Sequence, residues 1–366
     1  MSVTNLETAT LLQNLTGVLT KMGYTEYYSS FNPLYMNYIL WPQYRDSAPP
    51  QLRPALDLFL LGKRVQAADC AGPLRDLFEP LAQLCVLDIQ EDTVMTTDLI
   101  LLPLFGFWLF CQKPQVNPTL YFGDDSIALL LRQRPPLGGT CLDLCSGPGV
   151  QAIWANHFAS RMTSVEINSF AQAIAKINMC MNGCSDRIEV LCGNLYDPVA
   201  GRHFDAIIAN PPLLPFPEHI AYPFVGHGGA DGLSVTWKIL DGLPAHLAPE
   251  GHAQIIGTCL SDGLLPLCIE RLSAWACAQK MRVLFTITKC VPLRPGIRFF
   301  DLLVETAVMS TGEPSERIAH AYAKSLDEQC ASHLCFFYLY LSHGEGGIIL
   351  QDLSLEDQPG GWFLGG

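Results

Sequence analysis

Two hydrophobic periods divide this 366-residue chain. Up to about residue 118 apolar positions recur every three to four residues. Over residues 4–22 the set Leu6, Leu11, Leu12, Leu15 and Val18 marks one helix face, which Gly23 ends. Residues 52–61 and 74–84 repeat the pattern, with Pro80 expected to kink or split the second helix. From Tyr121 short apolar runs alternate with helical spacing. Strands are expected over 141–145, 162–166, 188–192, 204–209 and 251–257, and helices from Val150 and over 264–279. That alternation predicts an α/β fold, a doubly wound, mostly parallel sheet covered on both faces. Strands over 283–288 and 299–308 are expected to close it. Beyond Ser310 the pattern predicts a helix over 315–329 and two strands, 335–341 and 347–350, joined as a hairpin at His343-Gly344-Glu345-Gly346. The expected organisation is a mainly helical N-terminal domain over 1–118, an α/β domain over 119–312, and a C-terminal extension over 313–366 that lengthens the sheet or pairs with a second subunit.

Between the first helix and residue 44 the chain carries Tyr24, Tyr27, Tyr28, Phe31, Tyr35, Tyr38, Trp41 and Tyr44. Such a segment serves either as a packed cap whose phenols find partners or as a lid over a cationic ligand, because aromatic faces attract cations. Tyr24 and Tyr28 are the candidate lid residues.

The stretch Cys141-Leu142-Asp143-Leu144-Cys145-Ser146-Gly147-Pro148-Gly149-Val150 reads as a buried strand, a glycine turn and a helix start. Gly147 and Gly149 remove side chains where backbone must approach a ligand or another element. The next strand ends in Glu166, about twenty residues on, the spacing at which a carboxylate takes ribose hydroxyls. The strand over 204–209 runs directly into Asn210-Pro211-Pro212-Leu213. Asn210 has a side-chain carbonyl that accepts an N–H, and the two prolines stiffen the loop that holds it.

In this order the motifs resemble the class I S-adenosylmethionine (SAM)-dependent methyltransferases, in the Asn-Pro-Pro branch that includes release-factor glutamine and adenine-N6 methyltransferases. The resemblance spans roughly residues 121–308. It implies a Rossmann-like sheet with an antiparallel last strand and SAM as cofactor. It further implies Glu166 on the ribose, Asn194 and Leu195 at the adenine, and Asp125 or Asp143 on the methionine ammonium. Asn210 and the Pro211 carbonyl would orient the attacking nitrogen. Residues 226–232, with His227, read as a loop closing on the substrate. Two positions depart from the pattern. Cys145 replaces the first glycine of the turn, which is tolerable if its φ is negative. Leu213 stands where the family carries a stacking aromatic.

Composition narrows the function. A net charge of −13 and no cluster of Lys and Arg argue against a nucleic-acid substrate. Fourteen cysteines without an export signal read as reduced core thiols in a cytoplasmic protein. The longest apolar run, 99–111, is broken by Pro103 and too short to span a bilayer. No Cys or His spacing supports a metal site. The leading expectation is N-methylation of a small or carrier-bound metabolite in secondary metabolism, by a chain free to form a homo-oligomer or meet a carrier protein. The alternative raised by Leu213 is attack by the amine of SAM on its own chain, giving azetidine-2-carboxylate and methylthioadenosine. Methylation of a protein glutamine and non-catalytic SAM binding complete the set.

Overall fold

Three leucines of the first helix, α1 (Leu6–Lys21), fall at three- and four-residue intervals, and Leu12, Leu15 and Leu19 are all fully buried. A computed structural model of the chain describes residues 6–115, 117–217, 219–355 and 360–364. In the rest of the N-terminal region the helices are short, among them Tyr24–Tyr28, Trp41–Tyr44, Gly72–Arg75 and Phe78–Gln83, and the helix expected over 52–61 is present as Arg53–Ala55 continued by a wider turn, Leu56–Leu60. The N-terminal region also carries five strands that helical spacing did not foretell: β1 (Val65–Gln66), β2 (Leu87–Gln90), β3 (Thr93–Thr96), β4 (Leu99–Leu104) and β5 (Phe107–Gln112). β4 and β5 pair as a hairpin through Phe105 and Gly106, both at positive φ, as a tight two-residue turn requires. Both faces of this hairpin are mostly buried, so its sequence is a continuous apolar run with no alternation to betray a strand.

The main sheet arises from the alternating elements α2 (Asp124–Arg132), β6 (Thr140–Leu144), α3 (Val150–Ala155), β7 (Arg161–Glu166), α4 (Ser169–Met181), β8 (Ile188–Cys192), β9 (Phe204–Ala209), α5 (Ser234–His246), β10 (Leu247–Ser261), α6 (Ile269–Gln279) and β11 (Met281–Pro292). Two helices, α7 (Arg298–Thr311) and α8 (Ser315–Glu328), precede β12 (His333–His343) and β13 (Gly347–Asp352). The eight strands lie in the order β13-β11-β12-β10-β9-β6-β7-β8. β10, β9, β6, β7 and β8 run parallel, which sets their carboxyl ends and the loops after them on one edge.

Two expectations for the C-terminal third are corrected. Residues 299–308 form α7 rather than a strand, because Phe300, Leu303, Val304 and Ala307 bury at helical and not alternating intervals. The closing antiparallel strand is instead β12, which lies between β10 and β11 and pairs with both. Nor do β12 and β13 form a hairpin. β13 pairs in parallel with the far side of β11, Val283 opposite Ile348. The link Gly344-Glu345-Gly346 passes beside the start of β11 and the end of α6, where a side chain on Gly346 would come within 2.9 Å of Cys277.

Helix α4 ties the N-terminal hairpin to the sheet. Asn178 accepts from the Phe110 N–H at 2.7 Å and donates to the Phe110 carbonyl at 2.9 Å; Asn182 does the same for Trp108 at 2.8 and 2.7 Å. These amides satisfy the free edge of β5. Asn178 donates also to Pro148 in the glycine turn at 2.9 Å, so one buried side chain links the N-terminal region to the site.

Candidate functional site

The turn after β6 is shaped by left-handed backbone at three positions: Cys145 (φ 57), Gly147 (φ 52) and Gly149 (φ 83). The expectation of negative φ at Cys145 is therefore corrected. A non-glycine residue there costs roughly 1–2 kcal/mol, which the surrounding packing must offset. Gly149 is needed for space, since an added methyl would stand 2.9 Å from Met179 of α4. Gly147 donates its N–H to Glu166 Oε2 at 2.9 Å, while Glu166 Oε1 accepts from the Asn168 N–H at 2.8 Å. The carboxylate at the end of β7 thus braces the turn after β6.

Beneath the turn, Asp143 is fully buried and neither carboxylate oxygen has a well-formed hydrogen bond. Burial pushes its carboxyl well above the ordinary range; the Ala152 backbone N–H opposes the shift and Glu166 adds to it.

A cavity of about 370 Å³ opens over this edge of the sheet, a size suited to a drug-sized ligand. Cys145, Gly147, Glu166, Asn194, Leu195, Asn210, Pro212 and His227 line it together with the apolar Val165, Ile167 and Ala171. Leu195 is a second strained position, at φ 48. A second cavity, about 310 Å³, meets the first at Asn210, Tyr121 and Val225. Its wall includes Asp125, Pro211, Leu213, Tyr222, Thr306 of α7 and Trp362.

Asn210 is the hinge between the two spaces. Its Nδ2 donates to Asp125 Oδ2 at 3.1 Å and to Ser126 Oγ at 3.2 Å, while its Oδ1 is buried and has no partner. Asp125 accepts in addition from the Ser126 N–H at 2.8 Å and from the Tyr121 hydroxyl.

Most of the residues expected from the motifs converge here, but five do not line the first cavity. Asp143 lies beneath the turn and Gly149 faces Met179 rather than the cavity, while Pro211 lines the second cavity and Asp125 faces it with its carboxylate already occupied. Leu213 too belongs to the second cavity, its carbonyl accepting from the Thr258 hydroxyl. Tyr24 and Tyr28 line neither cavity: Tyr24 donates to the Leu101 carbonyl at 2.7 Å in the N-terminal core, and Tyr28 is buried against Met36. They act as packed phenols, and their assignment to a lid is corrected.

His227 reaches the first cavity because residues 226–229 fold against 214–216, with backbone bonds between Leu214 and Gly226, Gly228 and Leu214, and Phe216 and Gly229. The same fold-back brings in Phe224, and the adjoining α5 contributes Val235 and Lys238. Sequence reasoning missed these three, since no local pattern signals a loop returning on the strand end it follows.

The donor set fits SAM. A carboxylate at the end of β7 can accept hydroxyls, apolar side chains flank the space for a purine, and an unpaired carbonyl oxygen lies at the inner end. A family model described as the methyltransferase small domain matches residues 120–259. The ribosomal protein uL3 glutamine methyltransferase of Bradyrhizobium diazoefficiens is 36% identical over 142 residues, 36% of this chain and 44% of that protein. The putative protein N5-glutamine methyltransferase of Methanocaldococcus jannaschii is 30% identical over 155 residues, 41% of this chain and 77% of that protein. The release factor glutamine methyltransferase of Gloeobacter violaceus is 28% identical, covering 41% of this chain and 56% of its own. The chain thus spans about half the length of the uL3 and release-factor relatives.

These relatives are named for glutamine in proteins, which overturns the expectation of a small-molecule acceptor and of a place in secondary metabolism. None of the three is named for cyclisation. Among the described residues no helix is long and apolar enough to cross a membrane.

Proposed function

Because this chain belongs to the class I SAM-dependent methyltransferases of the Asn-Pro-Pro branch, we propose that it transfers a methyl group to the side-chain amide nitrogen of a glutamine in a protein. The observation that carries this reading is the Asn210 amide: its Nδ2 is held by Asp125 and Ser126, and its Oδ1 is left buried and unpaired where two cavities meet. An amide nitrogen is a weak nucleophile, so positioning and lone-pair orientation must do most of the catalysis.

Asn210 Oδ1, with the Pro211 carbonyl, accepts the N–H groups of the incoming amide and holds its nitrogen toward the first cavity. Glu166 accepts ribose hydroxyls, and Asn194 and Leu195 meet the adenine. When bound, SAM supplies a methyl group on a positively charged sulfur that departs as a neutral thioether. With SAM bound, attack by the amide nitrogen would form the N–C bond as the C–S bond breaks, and the nitrogen's proton would pass to solvent water. Pro211 and Pro212 keep the loop from yielding as the acceptor presses in.

The test is turnover on purified ribosomal protein uL3 and on a release factor, with mass spectrometry locating an added methyl on glutamine. Asn210→Ala should lower turnover by about two to four powers of ten while leaving SAM affinity nearly unchanged, since the interaction acts on the transition state. Full activity in that variant would return Asn210 to a turn-forming role. Methylthioadenosine released from SAM alone would replace transfer by cyclisation.

A further inference from the structure

An asparagine amide has two nearly identical ends, and only one is useful at this site. A carbonyl turned to the acceptor receives its N–H; an NH₂ turned there would repel it. We propose that Asp125, seconded by Ser126, is the positioning residue that decides which end of Asn210 faces the acceptor. The inference rests on the reading of Asn210 given above.

The chemistry of the partners enforces the choice. An ionised carboxylate only accepts hydrogen bonds, so it draws Nδ2 and repels Oδ1. Asp125 Oδ2 takes Nδ2 at 3.1 Å. Ser126 Oγ takes it at 3.2 Å while also facing the Gly123 N–H at 3.5 Å, so this oxygen too is held as an acceptor. The carboxylate itself cannot turn away. Its other oxygen is fixed by the Ser126 N–H at 2.8 Å, the Tyr121 hydroxyl donates to it, and the residue is 6% exposed.

The two residues reach one another from separate elements: Asp125 is the second residue of the nine-residue α2, whereas Asn210 follows β9. The start of α2 is anchored in turn by the Tyr-rich segment, where the Met36 N–H donates to Asp124 Oδ1 at 2.6 Å and Tyr38 to the Phe122 carbonyl at 3.3 Å. That segment therefore serves the site by placing α2.

The arrangement holds only while Asp125 is ionised. Protonated, its carboxyl becomes a donor and Asn210 can turn its carbonyl inward. Burial raises the Asp125 pKa, and the donors Asn210, Ser126 and Tyr121 oppose the rise. The other titratable groups facing it are Asp124 on the same helix and Tyr338 on β12.

The deciding experiment labels asparagine side-chain nitrogens in the full chain, assigns the Asn210 pair by its loss in Asn210→Asp, and follows it by NMR against pH. In the unaltered chain the pair should shift with a single acidic transition, and Asp125→Asn should abolish that transition. In the same variant kcat on the protein acceptor should fall by about 10- to 100-fold and the acidic limb of the rate profile should disappear, with the SAM Kd within about twofold. Ser126→Ala, which removes one acceptor, should give a smaller fall in the same direction. An Asn210 pair that ignores pH, or Asp125→Asn with unchanged kcat and acidic limb, overturns the proposal. Absence of transfer to any protein glutamine by the unaltered chain would defeat the proposed function instead, and the titration would still decide the role of Asp125.

Discussion

Glu166 carries two duties on one carboxylate. Its oxygens receive the backbone N–H groups of Gly147 and Asn168, and its cavity-facing side is the proposed ribose site. Glu166→Ala should weaken SAM binding by roughly 2–4 kcal/mol, because charge-assisted hydrogen bonds go and the glycine turn loses its brace. Calorimetry showing unchanged affinity would reject the assignment. Asp143 makes the opposite case, a carboxylate whose cost falls on the fold. Its pKa is raised by burial, so the native state binds a proton more tightly than the unfolded chain does, and stability declines as pH rises. The decline begins near the ordinary Asp value of about 3.9 and is complete above the raised one. Asp143→Asn should therefore raise the melting temperature at neutral pH in the ligand-free chain, and the gain should vanish at acid pH. A melting temperature equal to or below that of the unaltered chain at pH 7 would contradict this. Glu166 and Asp143 were both legible in the sequence as carboxylates at strand positions, but burial alone separates the one that faces ligand from the one that lies beneath it.

Legibility at the scale of elements follows the range of the signal. β6 and β9 were readable as short apolar runs that end at Cys145 and Gly147 and at Asn210, and β7, with only Met162 and Val165 apolar, by the spacing of its terminal Glu166 from the glycine turn. The wall of the second cavity was not, because Tyr121, Tyr222, Thr306 and Trp362 come from four separate stretches. This also alters the meaning of Leu213. The aromatic face missing from the Asn-Pro-Pro loop is available from Tyr222, Phe299, Phe336 and Trp362 around the same cavity. A ring at position 213 would then crowd a side chain that is only 8% exposed, so Leu213→Tyr should destabilise the fold by about 1–3 kcal/mol and not improve turnover. Helix α7 gives a cleaner probe of the cavity. Thr306 is partly exposed on its lining face, and, if the proposed acceptor enters by this second cavity, Thr306→Trp should fill its path and raise the acceptor KM by about tenfold or more while SAM affinity stays put. Weakened SAM binding with unchanged acceptor KM would place the acceptor elsewhere.

For the whole molecule the decisive feature is where the last third of the chain goes. Residues matching the family model end at 259, and a unit ending at 312 looks self-sufficient when strands are counted along the sequence. The sheet contradicts that count, because β12 is threaded between β10 and β11 and carries the buried Leu334, Cys335, Phe337, Leu339 and Leu341. Strand pairing of this kind joins residues far apart in sequence, which no local period reports. A chain ended after Gly312 would expose the inner edges of β10 and β11 and lose the apolar side chains that β12 contributes to both faces. Each buried Leu or Phe is worth roughly 1.5–3 kcal/mol, so the four among these, about 6–12 kcal/mol together, are as large as the whole stability expected of an ordinary domain, about 5–15 kcal/mol, before the unpaired edges are counted. The truncated chain should show no cooperative thermal transition by circular dichroism and should aggregate. A chain ended after Asp352 keeps all eight strands and loses only the segment bearing Trp362, so it should melt cooperatively, bind SAM, and fail chiefly in acceptor KM. Cooperative melting of the shorter chain near the full-length temperature would show instead that β12 is an addition to a finished sheet.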